Sequence, residues 1–251
     1  MFEPTIPFGE PELMRASAYR LYLQELDEEA AKSGVSSRIA SLSPSLRADL
    51  YRFEADGGTS EVLEVVAACV RHAKRVAIHL QSGEHVVPLT VFPEERLVHC
   101  PLAMDQLLAK PLTELRVLHV EPALLRPPGD EERGLIGEER LHFPLAPLLW
   151  ELAMRGGRND LLPEIAGPAV YRITPGLQLG SVQPSSAMAA SIYRLRREAS
   201  TLSEIADWPG MDRERAVRLL NALYLQAGLM VSRSHPGAIN ESWKRKGRGA
   251  A

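Results

Sequence analysis

The sequence predicts an α+β protein: N-terminal helices with a small antiparallel sheet, a second small α+β unit, and a helical module at the C-terminal end. Three observations carry this. Apolar residues recur at helical spacing up to about residue 74, alternate between residues 76 and 120, and return to helical spacing after residue 187. A run rich in Pro, Gly and acidic residues at 122–140 interrupts the pattern. With 45% hydrophobic and 24% charged residues, the chain has ordinary globular usage and enough apolar material for a core.

The elements follow in order. Leu13, Ala16, Tyr19, Tyr22, Leu23 and Leu26 form one stripe, so a helix is expected over Pro11–Lys32, with a second over Pro44–Phe53. A third runs from the cap Thr59 to about Lys74, where Arg71, Lys74 and Arg75 suit a helix C-terminus. Val76–Leu80 and His85–Phe92 then read as a hairpin around a four-residue loop, Gln81–Glu84. Arg96–Cys100 and Leu115–Val120 are further strands and Met104–Leu108 a short helix, giving an antiparallel sheet with helices on one face. These make a domain over 1–121, followed by a linker at 122–140.

A small unit over 141–186 contains a helix Leu145–Arg155, stopped by Gly156-Gly157, and a hairpin-like pair, Ala169–Ile173 with Leu177–Leu179. The module over 187–235 starts with a helix striped by Met188, Ile192 and Leu195. Thr201 and Glu204 have capping-box spacing for a short helix that ends at Trp208-Pro209-Gly210. Asp212 caps a third helix, Arg213 to about Ala227, with Ala216, Val217, Leu220, Leu223, Tyr224 and Ala227 on one face and Gly228 as its stop. Leu229–Val231 reads as a strand, and residues 236–251 as a basic, unstructured tail.

The order helix, short helix, turn, longer helix and strand, carried by T-L-S-E-I-A and R-A-V-R-L-L-N-A-L-Y-L-Q-A-G-L-M, resembles a winged-helix module. The resemblance covers residues 187–233 alone. It implies either DNA contact through the third helix or a protein-contact role, since such modules serve both. On the outer face of that helix, Arg215, Arg218 and Asn221 are the candidate nucleic-acid contacts, joined by Lys244, Arg245 and Lys246 of the tail. Leu219, Ala222 and Leu225 share this outer face and are the candidate partner contacts, because an apolar outer surface suits a polypeptide neighbour.

Charge is partitioned. From Ala187 onward 11 Lys/Arg stand against 6 Asp/Glu, leaving 18 against 26 for residues 1–186, so a basic end follows an acidic body. That implies an anionic partner or electrostatic docking within the chain. Met1–Met14 carries three Glu and no basic residue, unlike a secretory leader, and no apolar run approaches the ~18 residues of a membrane span. Together with two cysteines, Cys69 and Cys100, outside any C-x-x-C spacing, this predicts a cytoplasmic chain.

No dinucleotide fingerprint, phosphate loop, G-x-S-x-G elbow or H-E-x-x-H occurs. His79, His85, His99 and Cys100 fall in one predicted sheet, but alternation puts His99 and Cys100 on opposite faces, so ordinary sheet histidines are expected rather than ligands. Arg155–Asp160 is expected to be a glycine stop and turn rather than an anion-binding nest. The expectation is a non-enzymatic regulatory or adaptor protein with no cofactor or metal, a protein partner and no membrane. A DNA-binding regulator and an enzyme with a site assembled only in three dimensions stay open, as does a homo-oligomer.

Overall fold

The computed structural model describes residues 13–33, 43–46, 48–49, 61–129, 135–136 and 138–238. The chain divides into two compact units, Met1–Leu145 and Ala146–Ala251. Both helices and antiparallel sheets are present, in agreement with the α+β class. Among the described residues no helix is long and apolar enough to cross a membrane.

In the first unit, helix α1 spans Ala16–Ser33. It begins later than its apolar stripe suggests, because the preceding residues are extended. Arg15 bridges His85, Val86 N–H donates to Met14 O (2.8 Å), and Ala16 N–H donates to Glu84 O (2.8 Å). Residues 44–46 and 48–49 are helical, and the rest of the helix expected over Pro44–Phe53 lies outside the described residues, as does Thr59. Helix α2, Glu61–Arg71, is held to this segment by Asp49, which pairs with Arg71 and with His72 Nε2 (2.8 Å).

The sheet has five antiparallel strands: β1 Val76–Ser82, β2 His85–Phe92, β3 Leu97–His99, β4 Arg116–Pro122 and, past a short helix α3 (Met104–Leu108), the strand His142–Pro144. Their order is β4, β1, β2, β3, His142–Pro144. The β1–β2 strands run closer than the expected four-residue loop, with Ser82 opposite His85 and a tight turn through Gly83 at φ 61°. Val76, Ile78 and Leu80 with their partners Val91, Leu89 and Val87 are at most 1% exposed, so this face is core. On the other face α1 seats Tyr19 and Ala16 against Val86, with Leu23 and Leu118 beside them.

The segment expected as a linker belongs in part to this unit. Strands β5 (Leu125–Arg126) and β6 (Leu135–Ile136) pair in parallel, and His142–Pro144, hereafter β7, extends the sheet by pairing Val98 with Phe143 and His99 with His142. The division therefore falls at Leu145/Ala146, because strand pairing claims Leu125–Arg126 and Leu135–Ile136 of the expected connection and His142–Pro144 of the expected second unit.

In the second unit, helix α4 (Leu145–Arg155) is followed by a loop, strand β8 (Val170–Ile173), helix α5 (Ser186–Leu195) and the two-residue strand β9 (Ser200–Thr201). Helices α6 (Leu202–Ala206) and α7 (Arg213–Leu225) and strand β10 (Leu229–Ser232) complete it. Residues 141–186 and 187–235 are not separate bodies, since the strand of the first is the middle of a sheet ordered β10, β8, β9. Leu229 faces Ile173, Ser232 faces Val170, and Val170 also faces Thr201. The hairpin expected between Ala169–Ile173 and Leu177–Leu179 does not form. Buried Val170, Tyr171 and Ile173 call for strands on both sides, and the flanking partners come from much further along the chain.

The caps of the two short-range signals form as their chemistry requires. Thr201 Oγ1 accepts from Glu204 N–H (3.2 Å), and the Glu204 carboxylate accepts from Thr201 N–H (2.8 Å). Asp212 Oδ1 accepts from Arg215 N–H (2.7 Å). At the other end of α7 the left-handed residue is Ala227 (φ 55°), not Gly228. Ala227 N–H donates to Tyr224 O and Gly228 N–H to Leu223 O, a Schellman closure. Gly228 instead gives room to a neighbour: a Cβ there would lie 2.5 Å from the Leu177 side chain, which would have to shift.

Candidate functional site

Helix α7 carries most of the residues singled out in the sequence, and its surroundings decide their roles. The inner stripe of Ala216, Val217, Leu220 and Leu223 is wholly buried. The outer side is buried as well: Leu219 and Ala222 are 0% exposed and Leu225 2%. These three residues are therefore core of the chain's own second unit and not an accessible partner surface. Of the expected inner face Tyr224 is only half-buried and Ala227, past the helix end, is exposed, and a wheel cannot register a second layer packed from the other side.

That layer is α4 and the loop after it, fastened to α7 by a polar seam. Arg218 donates to Met154 O (2.5 Å), Gly156 O (3.1 Å) and Asn159 Oδ1 (3.1 Å), and its Nε donates to Glu214 (3.0 Å). Asn221, 1% exposed, accepts from Leu162 N–H (2.9 Å) and donates to Asp160 O (3.0 Å). One turn further, Gln226, 4% exposed, donates to Ala146 O (2.9 Å). Arg218 and Asn221 thus satisfy buried backbone groups, so neither reaches out to a base or phosphate. Arg215 alone of the three keeps an open side chain, 56% exposed, while touching Asp212 and Gly210 O.

The loop at 155–160 shows the same logic. A nest would aim successive N–H groups at an anion. Here the oxygens of Gly156, Asn159 and Asp160 accept from side chains, among them Arg158 Nε to Asp160 O (2.8 Å). Burial pulls Arg158 below the usual arginine range, with Asp160 acting in the opposite direction. Gly156 is required by close approach, since a Cβ would sit 2.3 Å from Leu152 O.

What remains accessible next to this seam is an open groove of about 580 Å³ lined by Trp150, Met154, Arg155, Ser185, Met188, Glu214, Arg215 and Arg218. It brings Arg215 and Arg218 together with residues that the sequence reading overlooked. A signal for two of them was there. Leu145, Leu148, Leu149 and Leu152 form the core stripe of α4, while Trp150 and Met154, at i and i+4, form a second apolar patch on the opposite side. An apolar patch that a helix does not need for its main core has to be covered by something else.

The remaining basic residues of this unit are largely engaged within it. Arg194 lies over the Trp208 ring (4.6 Å), Arg197 over Tyr193 (4.2 Å), Arg196 donates to Leu177 O, and Arg233 donates to Glu164 O and Ala166 O. Lys244, Arg245 and Lys246 lie outside the described residues.

In the first unit, His79 Nε2 meets Glu121 Oε1 at 3.1 Å beneath the stacked Tyr19 ring (5.0 Å), and His119 lies opposite it. His99 packs edge-on against His142 (4.9 Å). His85 is exposed at the turn and Cys100 is buried. Among the described residues no three His, Cys, Asp or Glu side chains converge as metal ligands. Burial pushes the Cys69 thiol up to about 12 and the Cys100 thiol up to about 11.

No family model matches the chain, and neither a curated protein nor a solved structure matches it.

Proposed function

We propose that this chain is a non-enzymatic regulatory or adaptor protein, cytoplasmic, whose second unit is a winged-helix-like module given over to protein contact. The observation that carries the reading is the sealed outer side of α7. In a DNA-binding module the third helix must lay that side in the major groove. Here Arg218, Asn221 and Gln226 tie it to the backbone of residues 146–162, with Leu219, Ala222 and Leu225 buried beneath. Undoing the seam would expose three apolar side chains and orphan several buried polar groups, a cost that a few phosphate contacts do not offset. The groove beside the seam offers large apolar side chains within a charged rim, which is the make-up of a protein-contact patch.

The test uses the full chain carrying a photoreactive benzoylphenylalanine in place of the exposed Ser185 at the groove edge. Irradiation in cells is expected to yield a discrete protein adduct that disappears when Met188→Glu is added. The same purified chain titrated with duplex DNA at low salt is expected to show no binding. Nucleic-acid adducts, or DNA affinity falling steeply with salt, would favour the DNA-binding regulator instead.

A further inference from the structure

We infer that the groove between α4, the start of α5 and the first half of α7 receives an acidic amphipathic polypeptide segment, in which Asp or Glu residues flank a large apolar side chain. This rests on the protein-contact reading and adds the chemistry of the partner.

The floor determines the apolar part. Trp150 is 4% exposed and presents little more than an edge, flanked by the half-buried Met154 and Met188. Thioether side chains are unbranched and polarisable, so such a floor adapts to Leu, Met, Phe or Trp rather than to one shape. The rim determines the charge. Among the lining residues three arginines, Arg155, Arg215 and Arg218, stand against a single Glu214. Arg155 and Arg215 have side chains 47% and 56% exposed, Arg155 pairing with Glu151 and Arg215 with Asp212 and Gly210 O, and this exposure leaves their positive charge within reach of an incoming carboxylate. The end of α5 adds to the same sign. Its N-cap, Ser185, makes no side-chain capping bond, and its first turn carries no acidic residue. The amides of that turn therefore leave a partial positive charge at the groove edge.

A polypeptide fits better than a nucleic acid. Affinity for phosphate backbones grows with the number of phosphates neutralised, and two exposed arginines beside an apolar floor supply few. A carboxylate-bearing segment needs only those two contacts, because burial of its apolar residue against Met154 and Met188, over the edge of Trp150, provides the rest.

The experiment selects short random peptides displayed on phage against the immobilised full chain. Binders to a chain carrying Arg215→Glu and Met188→Glu are removed first. The expected outcome is enrichment of sequences with acidic residues around Leu, Met, Phe or Trp. A synthetic peptide of the enriched sequence should bind at least about tenfold more weakly to Arg215→Glu, and a version with Lys for each acid should lose binding similarly. Arg155→Glu, a solvent-exposed change, should give a comparable loss and replaces the double variant if Met188→Glu does not fold. Enrichment of neutral or basic sequences, no groove-dependent enrichment, or displacement of the peptide by duplex DNA would each overturn the inference. A persistent protein adduct from position 185 alongside any of these would remove the acidic chemistry and leave the protein-contact reading standing.

Discussion

Replacing Asn221 with alanine separates a structural role from a recognition role in a single measurement. Asn221 is 1% exposed and makes two hydrogen bonds to backbone groups about sixty residues away, accepting from Leu162 N–H and donating to Asp160 O. Each net bond contributes about 0.5–1.5 kcal/mol, and a buried N–H left without an acceptor costs about 1–3 kcal/mol. Leu162 is itself only 1% exposed, so water cannot easily replace the lost carbonyl. The expected destabilisation of the second unit is therefore about 2–4 kcal/mol. The assay is urea unfolding followed by tryptophan fluorescence, because Trp150 and Trp208 are buried within the second unit and the chain has no tryptophan before Trp150. At a slope of about 1.5 kcal/mol per M the midpoint should fall by roughly 1–3 M. Arg215→Ala, on the same helix but 56% exposed, should cost under about 1 kcal/mol. Equal and small effects of the two substitutions would refute the seam and return Asn221 to the pool of surface contacts.

Further outcomes follow from other sites. Ala227→Gly should raise the stability of the second unit by about 0.5–1 kcal/mol in the same assay, because Ala227 is exposed and holds a left-handed φ of 55° that glycine adopts without strain. His99 has its pKa lowered, chiefly by burial and then by His142, with Glu138 opposing. A histidine depressed in the folded state contributes stability above its unfolded value, near 6.5, and loses it as pH falls below that value toward the folded pKa. The protection factors of the β3 and β7 amides, taken after correction for the intrinsic pH dependence of exchange, should therefore fall below about pH 6.5, and less so in His99→Gln. Cys69 and Cys100, buried with raised pKa, should stay unreactive to a thiol reagent at neutral pH in the native chain and both titrate after unfolding in denaturant.

Local chemistry was the readable part of this fold. The capping box at Thr201 and Glu204, the Asp212 cap, the β1–β2 hairpin and the buried Ala216, Val217, Leu220 and Leu223 of α7 depend on residues within a few positions of one another, where side-chain type determines geometry directly. Pairings between distant segments were not readable. Val170–Ile173 has the same strand character whether it meets Leu177–Leu179 or Leu229–Ser232, and the choice depends on loop closure and on where α7 delivers its C-terminal end. His142–Pro144 is too short, at three residues, to show an alternating period, and its place in the sheet comes from pairing with β3.

The candidate site was half legible for a related reason. A single helix wheel assumes one buried face, and α7 has two, so the apolar Leu219, Ala222 and Leu225 looked like a surface awaiting a partner. The partner turns out to be the same chain, and the polar residues interleaved with them, Arg218 and Asn221, serve the backbone that arrives there. Part of the basic character of the second unit is explained in the same way. A guanidinium carries five donors and no acceptor, which makes arginine well suited to collect the carbonyls that loops leave unpaired, as Arg158, Arg196, Arg218 and Arg233 do. Positive charge can thus accumulate in a unit without any anionic partner being involved. The arginines that still argue for one are those exposed beside accessible apolar side chains, and Arg155 and Arg215 meet both conditions beside the half-buried Met154 and Met188 and the edge of Trp150.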